Sequence, residues 1–518
     1  MHHCTVFNVS EKKVLETLEG HPAGLSISEI AKHSKLHRNT IRTVIKKLQE
    51  NGKVELKKLG PAKIYYLKKY FSLHKLESGY KGDNISVGIG VSDLQDGYQA
   101  AISAAKQAVN QATKGEKPTF SLVFVSSRYN SQIDKVVKGI NKILGTKNWV
   151  GCTSDRELNS VLGYCEGTVE VLAIKTKYMY FGVGVAENYR KNPIESGKKA
   201  TIEAINNCPV ERSKFATVQF MRSTKKNFID VVRNPPFFVL TLIGGTFYKN
   251  KVAIPGLETE FLNGIFDALG PNIFIVGGSA SSEFENLSKY VAENYQFANG
   301  KVYSDAAVVV FIVSDLYFSY GLEHGYDPTS RIALLSELDG NGRVIKKLNG
   351  NFAVDEYCRM LGINKNDFLK NPWKYTFTNP FGTIDSDGNI YLRTLAVNPD
   401  KKSFTTIPKL VENSFVDIAT FNERKVINAM NDAIRQARQG YEKNRIAFIL
   451  VFSCSARRVI LNKKNIDKSL EIVKKEHGNP HLFGFYTFGE IGARKDRAVK
   501  FNNQTVTVLI VYDKLLVE

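Results

Sequence analysis

The sequence predicts an α/β region built from repeated strand-helix-strand units, preceded by a small domain of three helices and two strands. Two observations predict this. The first eighty residues show three helical patterns followed by two alternating strands, and from residue 85 onward apolar strands alternate with amphipathic helices. At 518 residues the chain is long enough for three or four units of roughly 100–200 residues each. Apolar residues make up 43% and charged residues 24%, which excludes wholesale disorder.

The same composition excludes several classes of protein. No apolar run approaches the roughly 18–20 residues of a membrane-spanning helix, and the start of the chain lacks the apolar stretch of a secretory signal. The six cysteines form no CxxC pair, so neither a disulfide framework nor a zinc ribbon is indicated. Phosphate-loop and zinc-hydrolase motifs are missing as well. We therefore expect a cytoplasmic protein that carries no metal and no cofactor and has no membrane partner.

The net charge of +20 is unevenly distributed along the chain. Residues 1–82 contain sixteen Lys and Arg against seven Asp and Glu, a net charge of +9. The remaining residues contain 55 against 44, a net charge of +11. The first sixth of the chain therefore carries almost half of the excess. Concentrated positive charge attracts a polyanion, and nucleic acid is the usual one.

The basic segment contains three helical patterns in succession. The first spans 10–19, and Ser26 with Glu29 offers a capping box that starts a second, short helix. The third pattern, 37–51, places apolar residues at positions i, i+3, i+4 and i+7, which predicts an amphipathic helix. Its apolar face contains Ile41, Val44, Ile45 and Leu48. Alternating strands are predicted over 53–58 and 63–68, with a turn at Gly60-Pro61.

This order of elements resembles the winged helix-turn-helix family over nearly the whole of residues 1–75. In that family the third helix enters the major groove of double-stranded DNA, where Arg pairs with guanine and Asn with adenine. The resemblance implies that the bases are read by Arg38, Asn39, Arg42 and Thr43. It implies further that phosphates are met by Lys46, Lys57, Lys58 and Lys63.

Two alternatives remain open for this charged helix face. It could be merely solvated, or the winged helix could dock a protein. The third helix has four basic residues before its first acid, Glu50, which favours DNA. Many winged helices act as dimers on two half-sites, so a homodimer is compatible with the resemblance. Residues 76–84, which contain Ser78-Gly79 and Gly82-Asp83 and show no periodicity, are predicted to be a linker.

The remainder of the chain repeats one pattern three times. The matched segments are 122–127, 238–243 and 450–455 at one strand, and 168–174, 306–312 and 505–511 at a later strand. Between them, each copy has a glycine followed six positions later by a glutamate: Gly151 and Glu157, Gly277 and Glu283, Gly484 and Glu490. We interpret this as one strand-helix-strand unit used three times. Because ligands of open α/β sheets bind beyond the carboxyl ends of strands, the glycine-to-glutamate segments are candidate site loops.

These segments resemble the FIST sensory domain, with its N-terminal and C-terminal parts together. The resemblance rests on the order of Gly151-Cys-Thr-Ser, Gly277-Gly-Ser-Ala, 297–305, 380–388 and 485–490 along the chain. It implies a FIST N-terminal-like ligand-sensing domain over 85–315 and a FIST C-terminal-like domain over 316–518. The family is regarded as an intracellular input module that binds small molecules, amino acids being the usual suggestion, and that is attached to varied signalling outputs.

The candidate ligand-binding residues follow from chemistry and from the resemblance. A loop glutamate could accept a hydrogen bond from a ligand ammonium, and the planar fork of an arginine matches the two oxygens of a carboxylate. The alternatives are that the glutamates cap loops, that the arginines are solvated or in surface salt bridges, and that Cys454 is a small buried hydrophobe. The candidates are Thr153, Glu157, Ser279, Glu283, Arg393, Cys454, Arg457, Tyr486 and Glu490.

Two functions are compatible with this sequence. The first is a one-component transcription regulator, in which a small intracellular metabolite bound by the FIST-like region modulates DNA binding. The alternative is an enzyme in residues 83–518, with the winged helix used for localisation or autoregulation. A base within hydrogen-bond reach of Cys454 would favour the enzyme, and apolar walls around that thiol would count against it. We expect the regulator, with no catalytic residues.

Overall fold

A helix-turn-helix module and a larger α/β region make up this chain in a computed structural model. The structure describes residues 2–19, 21, 24–59, 62–67, 79–210, 236–249, 252–289, 291–385, 388–494 and 498–516. Most of these residues belong to mixed β-sheets and the helices that cover them, so the mixed α/β class is confirmed. Within these ranges, no helix combines the length and the apolarity that crossing a bilayer requires.

The first module has the predicted three helices and two strands. They are α1 (His2–Glu19), α2 (Ile27–Ser34), α3 (Arg38–Glu50), β1 (Val54–Leu59) and β2 (Ala62–Leu67). The Ser26 hydroxyl accepts from the Glu29 N–H at 3.3 Å, and the Ser26 N–H donates to the Glu29 carboxylate at 2.8 Å, which confirms the capping box. Val14 and Leu48 are fully buried in one cluster between α1 and α3. The predicted turn at Gly60-Pro61 lies outside the described residues.

The predicted linker over 76–84 differs from the structure at its second half. Strand β3 (Gly79–Lys81) pairs along β4 (Ile85–Ser92) at the edge of the first large sheet. The Asp513 carboxylate accepts from the Tyr80 hydroxyl at 2.9 Å and from the Asn84 N–H at 2.9 Å. A three-residue strand is too short to give an alternating pattern, which is why the sequence predicted a linker there. Residues 68–78 lie outside the described residues.

The next elements form the first third of the α/β region. After β4 come α4 (Gly97–Thr113), β5 (Phe120–Ser126), α5 (Ile133–Leu144), β6 (Trp149–Ser154), β7 (Glu157–Asn159), β8 (Gly163–Cys165) and β9 (Val169–Thr176). The alanine-rich face of α4 is buried against the sheet, with Ala104 and Ala108 fully enclosed. Small side chains there let the helix lie close to the strands.

The second third follows the same sequence of large elements. It contains β10 (Met179–Glu187), α6 (Pro193–Asn206), β11 (Phe237–Gly244), β12 (Phe247–Lys249), β13 (Val252–Ile254), α7 (Glu258–Leu269), β14 (Ile275–Ala280), α8 (Phe284–Ser288), β15 (Gln296–Ala298), β16 (Lys301–Tyr303) and β17 (Ala306–Ser314).

The last third begins with β18 (Leu316–Glu323). About one hundred residues then follow whose elements have no counterpart in the first two thirds. This inserted part contains β19 (Tyr326–Asp327), β20 (Ile332–Leu338), β21 (Val344–Leu348), β22 (Asn351–Phe352), α9 (Ala353–Leu361), α10 (Lys365–Lys370), α11 (Pro372–Thr378), β23 (Phe381–Ile384), β24 (Ile390–Arg393), β25 (Ala396–Val397), β26 (Phe404–Thr405), β27 (Phe415–Ile418) and β28 (Thr420–Phe421). It has its own buried cluster around Tyr357 and Phe404.

The pattern resumes after the insertion. The remaining elements are α12 (Glu423–Arg438), β29 (Ile446–Cys454), α13 (Ser455–His477), β30 (Leu482–Thr487), β31 (Glu490–Gly492), β32 (Lys500–Asn502) and β33 (Val506–Leu515). Asn462 is non-helical and kinks α13.

Besides the eight-stranded sheet of the inserted part, three large sheets of the described residues make up the α/β region. Their strand orders are β16-β15-β6-β5-β9-β4-β3, β10-β17-β11-β14-β31-β32 and β18-β33-β29-β30-β7-β8. Each sheet has one parallel pair, namely β5 with β6, β11 with β14 and β29 with β30. In each sheet a short hairpin completes the edge next to the parallel pair, and that hairpin comes from a different third of the chain. The hairpin β7-β8 joins β30, β15-β16 joins β6, and β31-β32 joins β14. The three thirds are therefore interlocked.

Candidate functional site

The outer face of α3 presents a set of exposed polar and basic side chains. The exposed residues are Arg38, Asn39, Arg42, Thr43 and Lys46. Ile41, Val44, Ile45 and Leu48 lie on the opposite face and are buried, so the amphipathic pattern is confirmed. Among the described residues, no carboxylate forms an ion pair with Arg38, Arg42 or Lys46. The fourth basic residue, Lys47, instead pairs with Glu11 at 3.3 Å.

The structure describes fewer side chains of the wing, which consists of β1 and β2. Lys63 on β2 is exposed. Lys57 and Lys58 lie within β1, but their side chains are outside the described part of the chain. The exposed basic face of α3 is therefore the part of the predicted DNA-binding surface that the structure describes most fully.

In the α/β region, the carboxyl ends of β6, β14 and β30, one strand from each of the three sheets, meet. The Ser281 N–H donates to the Thr153 carbonyl at 3.0 Å, and the Ser279 N–H donates to the Gly489 carbonyl at 2.9 Å. The Tyr486 N–H donates to the Arg156 carbonyl at 2.8 Å, which links the third strand to the first. The candidates Thr153, Ser279 and Tyr486 thus lie around one junction, although their positions are far apart in the sequence.

Two of the three candidate glutamates have the same environment. Glu157 is fully buried and accepts from the hydroxyls of Ser154 and Thr168, at 2.5 and 2.7 Å. Glu490 is fully buried as well, and it accepts from the hydroxyls of Thr487 and Thr505. Glu157 thus links β7 to the residue before β9, and Glu490 links β31 to the residue before β33. These bonds occupy the carboxylates, which matches the alternative that the glutamates cap loops.

Glu283 does not share this environment. It is partly exposed and pairs with Arg156 at 3.3 Å. The position that corresponds to Glu490 is Gln296, because each begins its hairpin strand and lies opposite the same strand position in its sheet. The inserted helix α8 separates β14 from its hairpin, so a fixed six-residue spacing points to a different residue in this copy.

The three glycines of the pattern share one structural reason. A Cβ atom added to Gly151, Gly277 or Gly484 would lie within 1.9 Å of a backbone carbonyl oxygen on the neighbouring parallel strand. No side chain fits at that distance. Glycine therefore permits a close approach of the two backbones within each sheet.

Burial raises the pKa of Glu490 to about 7. A raised folded-state pKa means that the native state binds this proton more tightly than the unfolded chain. The stabilisation is therefore complete below the ordinary pKa of 4.5 and is lost as pH rises through about 7. We expect the free energy of unfolding to fall by about 3 kcal/mol per such group between pH 5 and pH 8.

The variant Glu490→Gln is expected to lose the part of the pH dependence of the free energy of unfolding that the Glu490 carboxyl causes. Urea unfolding at a series of pH values measures it, and Glu195→Gln, at an exposed position on α6, is the control. An unchanged pH slope in Glu490→Gln would show that Glu490 is already ionised in the native state at neutral pH.

A buried ion cluster lies beside the junction. Asp155 is fully buried and accepts from Arg458 Nε at 2.9 Å, from Arg156 Nη1 at 3.4 Å and from the Phe284 N–H at 3.1 Å. Glu285 also contacts Arg458, at 3.4 Å. The cluster joins residues from all three thirds of the region. Neither Asp155 nor Arg458 is among the candidate residues that the sequence indicated.

Arg457 and Cys454 are both buried at the end of β29. The Arg457 guanidinium donates to the Ser453 hydroxyl and to the carbonyls of His324 and Val426, at 3.0–3.3 Å. The alternative that Arg457 is simply solvated is therefore wrong. Cys454 packs with Phe377, and burial raises the pKa of its thiol well above the ordinary value. A thiol in this state counts against Cys454 as a nucleophile.

Arg393, at the end of β24, is only weakly bonded. Its Nη1 donates to the Leu392 carbonyl at 3.0 Å, whereas its buried Nε has no acceptor. Burial lowers the pKa of Arg393 to about 10. Two neighbouring residues that sequence reasoning missed, Thr376 and Gln504, also carry buried side-chain oxygens without partners. The only sequence signal for this place was the run of polar residues around Asn503.

A small cavity of about 10 Å³ has room for roughly one water molecule. Leu392 and Thr505, which are next to Arg393 and Gln504 in the sequence, line part of it. Its wall includes His324, Arg494, Asn502 and Thr505. The His324 Nδ1 accepts from the Tyr326 N–H at 3.0 Å, so the proton is on Nε2. Burial lowers the pKa of His324 to about 3, so the ring is neutral. In the described part of the chain, no group of three His, Cys, Asp or Glu could hold a metal ion.

Models of three known domains match parts of this chain. The FIST N domain matches residues 119–351, the FIST C domain matches residues 353–493, and the IclR helix-turn-helix domain matches residues 13–57. The two FIST models together match more than half of the chain. The chain belongs to the FIST family. An IclR-type helix-turn-helix domain ahead of a FIST sensory region indicates a DNA-binding regulator.

The relatives of this FIST protein are distant. It is 24% identical over 238 residues to the uncharacterized protein MJ1623 of Methanocaldococcus jannaschii, and the match spans 44% of this chain and 43% of that protein. The chain thus matches under half the length of this relative. Among solved structures, cyanuric acid hydrolase from A. caulinodans aligns with a TM-score of 0.32 and 7% identity, over 83% of this chain and 99% of that one. PurLQS from Thermotoga maritima aligns with a TM-score of 0.18 and 9% identity, over 84% and 73%.

Proposed function

We propose that this FIST protein is a one-component transcription regulator, in which a small intracellular metabolite bound by the FIST region modulates DNA binding by the winged helix. The observation that carries the proposal is the exposed basic face of α3, which belongs to an IclR-type domain joined to a sensory region. An exposed helix face with three unpaired cations and an asparagine suits the major groove.

The proposal requires a ligand with different affinities for two arrangements of the chain. A ligand that binds both equally shifts nothing, however tightly it binds. The interlocked hairpins favour transmission of a ligand-induced movement between the thirds of the region. Movement at the edge of one sheet displaces a hairpin that belongs to another third of the chain. Within the described residues, Arg393, Thr376 and Gln504 are among those whose buried side-chain polar atoms have no hydrogen-bond partner.

The finer architecture belongs to the same proposal. We infer that 85–518 is one strand-helix-strand unit used three times, which the corresponding orders of the three sheets support. We retain the division into a winged helix over 1–75, a FIST N-terminal-like part over 85–315 and a FIST C-terminal-like part over 316–518. A homodimer on two half-sites and a location in the cytoplasm complete the proposal.

Calorimetric titration of the full-length protein with pooled metabolites, followed by DNA-binding measurements with and without any ligand found, tests the regulator. We expect the ligand to change the DNA dissociation constant by about 5- to 150-fold, the usual range of coupling between two sites. A variant with Arg42→Ala should bind the ligand with unchanged affinity. A ligand that binds while DNA affinity stays constant would contradict the regulatory claim.

A further inference from the structure

We infer that Glu157 and Glu170 form a buried proton-binding site, which keeps one proton at neutral pH and holds it on Glu170. Glu157 lies on β7, which pairs with β30 in one large sheet, and Glu170 lies on β9, which pairs with β5 in another. The site therefore lies where two of the large sheets meet. It depends on neither DNA nor a metabolite, so it stands apart from the proposed regulator.

The two carboxyl groups share one hydroxyl. Thr168 Oγ1 lies 2.7 Å from Glu157 Oε2 and 3.4 Å from Glu170 Oε1, and both glutamates are fully buried. Among the residues that the structure describes, no Lys, Arg or His forms an ion pair with either of them. Two negative charges around one donor repel each other strongly where the dielectric constant is low, so the ionisation of both groups is disfavoured.

The hydrogen bonds distinguish the two carboxyl groups. Glu157 accepts from the Ser154 hydroxyl at 2.5 Å, from the Thr168 hydroxyl and from the Thr168 N–H at 3.3 Å. Glu170 Oε1 accepts from Asn159 Nδ2 at 2.5 Å, whereas its Oε2 is buried without a partner in the described part of the chain. Because donors stabilise the charged form, Glu157 is the better place for the negative charge and Glu170 is the better place for the proton.

Asn159 is held in the orientation that this pair requires. Its Oδ1 accepts from the N–H groups of Val161 and Leu162, at 2.9 and 2.7 Å. Its Nδ2 is therefore the atom that faces Glu170, and it can only donate. One oxygen of Glu170 thus has a fixed donor, and the other oxygen has none.

The corresponding hairpin in the last third of the chain lacks a second carboxyl group. There Glu490 accepts from the Thr505 hydroxyl at 2.8 Å and from the Thr505 N–H at 3.1 Å, as Glu157 does from the residue before β9. Two positions further along each strand lie Gly492 and Thr507, and a Cβ atom on this glycine would be 2.4 Å from the threonine methyl. The asparagine and the second glutamate of the first third thus replace both members of a contacting pair.

The surrounding titratable groups leave the pair without a free cation. Those whose charges act on the pair or on its immediate neighbours are Arg128, Arg156, Tyr129, Cys165 and Asp93. Burial raises the pKa of Tyr129 to about 12 and the pKa of Cys165 well above its ordinary value, so both are neutral. Arg156 pairs with Glu283 at 3.3 Å, and Arg128 donates to the Tyr129 hydroxyl at 2.7 Å. Asp93 is a further acid.

Burial, and next the charge of Glu157, raise the pKa of Glu170 well above its ordinary value of 4.5. The native state therefore keeps this proton at a pH where the unfolded chain has released it. Its stabilising effect is complete below pH 4.5 and is lost as the pH rises through the raised pKa. Between these limits, one retained proton increases the unfolding equilibrium constant by about tenfold per pH unit.

Infrared spectroscopy of the full-length protein at neutral pH tests the site directly, because the C=O stretch of a protonated carboxyl group is separate from the bands of carboxylates. We expect the difference between the wild type and Glu170→Gln to contain one such band, which shifts when glutamate is labelled with a heavy carbon isotope. Glu116→Gln is the control, since Glu116 is exposed after α4 and pairs with Lys175 at 3.2 Å. Its difference spectrum should lack the band.

Urea unfolding at a series of pH values separates the proton from a packing role. Glu170→Gln keeps the size and the neutrality of the acid, so at alkaline pH it should be at least as stable as the wild type. Its unfolding constant should rise less steeply with pH, by about tenfold per pH unit. If this variant folds poorly, the double variant Asn159→Gly with Glu170→Thr, which copies the pair of the last third, serves for both measurements.

Two results would overturn the proton site. One is a difference spectrum without a protonated carboxyl band. The other is a Glu170→Gln variant that is less stable than the wild type at every pH and has the same pH slope, because Glu170 would then be ionised in the native state. Neither result concerns α3, so DNA binding would remain open. A chain that retains this proton but binds no DNA would contradict the regulator alone.

Discussion

Replacing Arg42 by alanine will weaken specific DNA binding by about 10- to 100-fold while leaving the Tm of the protein unchanged. Arg42 lies in the middle of the exposed face of α3, and the described residues offer it no carboxylate partner. Its guanidinium is therefore available for a base edge, where a bidentate contact is worth about 1–3 kcal/mol. Fluorescence anisotropy with DNA selected by the full-length protein from a random pool measures the loss.

Lys12→Ala is the matched control for this measurement. Lys12 lies on α1, is exposed and contacts Glu16 at 3.9 Å, so it shares the charge of Arg42 but not its helix. We expect its effect on DNA affinity to be small and to depend on salt. If Lys12→Ala and Arg42→Ala weaken binding equally, the attraction is a general one of charge, and α3 does not read the sequence.

Replacing Asp155 by alanine will lower the free energy of unfolding by about 3–5 kcal/mol. The substitution leaves the guanidiniums of Arg156 and Arg458 in a largely buried place without their shared carboxylate, and it removes the acceptor of the Phe284 N–H. Because the cluster joins all three thirds of the α/β region, unfolding should remain cooperative but shift to a lower midpoint. Urea unfolding followed by circular dichroism measures the change.

The control for Asp155 is another aspartate that pairs with an arginine. Asp432 contacts Arg435 at 3.2 Å, with both side chains about half exposed, and pairs of this kind contribute about 0–1 kcal/mol. Asp432→Ala should therefore change the free energy of unfolding by less than 1 kcal/mol. Equal losses in the two variants would mean that burial adds nothing to the Asp155 cluster.

Much of the first module could be predicted from the sequence. The buried and exposed faces of α3 follow from a local period of 3.6 residues, and the capping box needs only Ser26 and Glu29. The exposure of Arg42 follows equally, because a charged residue opposite an apolar stripe faces solvent. These features depend on residues within one or two helical turns of each other, so the pattern of a single sequence contains them.

The surroundings of the candidate residues in the FIST region could be predicted only in part. The sequence placed the loop of Glu490 beyond the end of a strand, and in the structure this loop follows the strand Leu482–Thr487. The fixed six-residue spacing pointed to Glu283, which is partly exposed and pairs with Arg156, whereas Gln296 begins the hairpin strand that follows α8. A count of residues along the chain cannot detect an insertion inside a loop.

By itself the sequence determined the elements of the first module, its amphipathic faces and the presence of two kinds of module. Only the tertiary structure decided which charges meet. Asp155 and Arg458 are 303 positions apart and form a buried pair, whereas Arg393 pairs with no carboxylate in the described part of the chain. The physical reason is that helices and strands depend on near neighbours, while the partner of a buried charge comes from whichever distant segment the fold brings beside it.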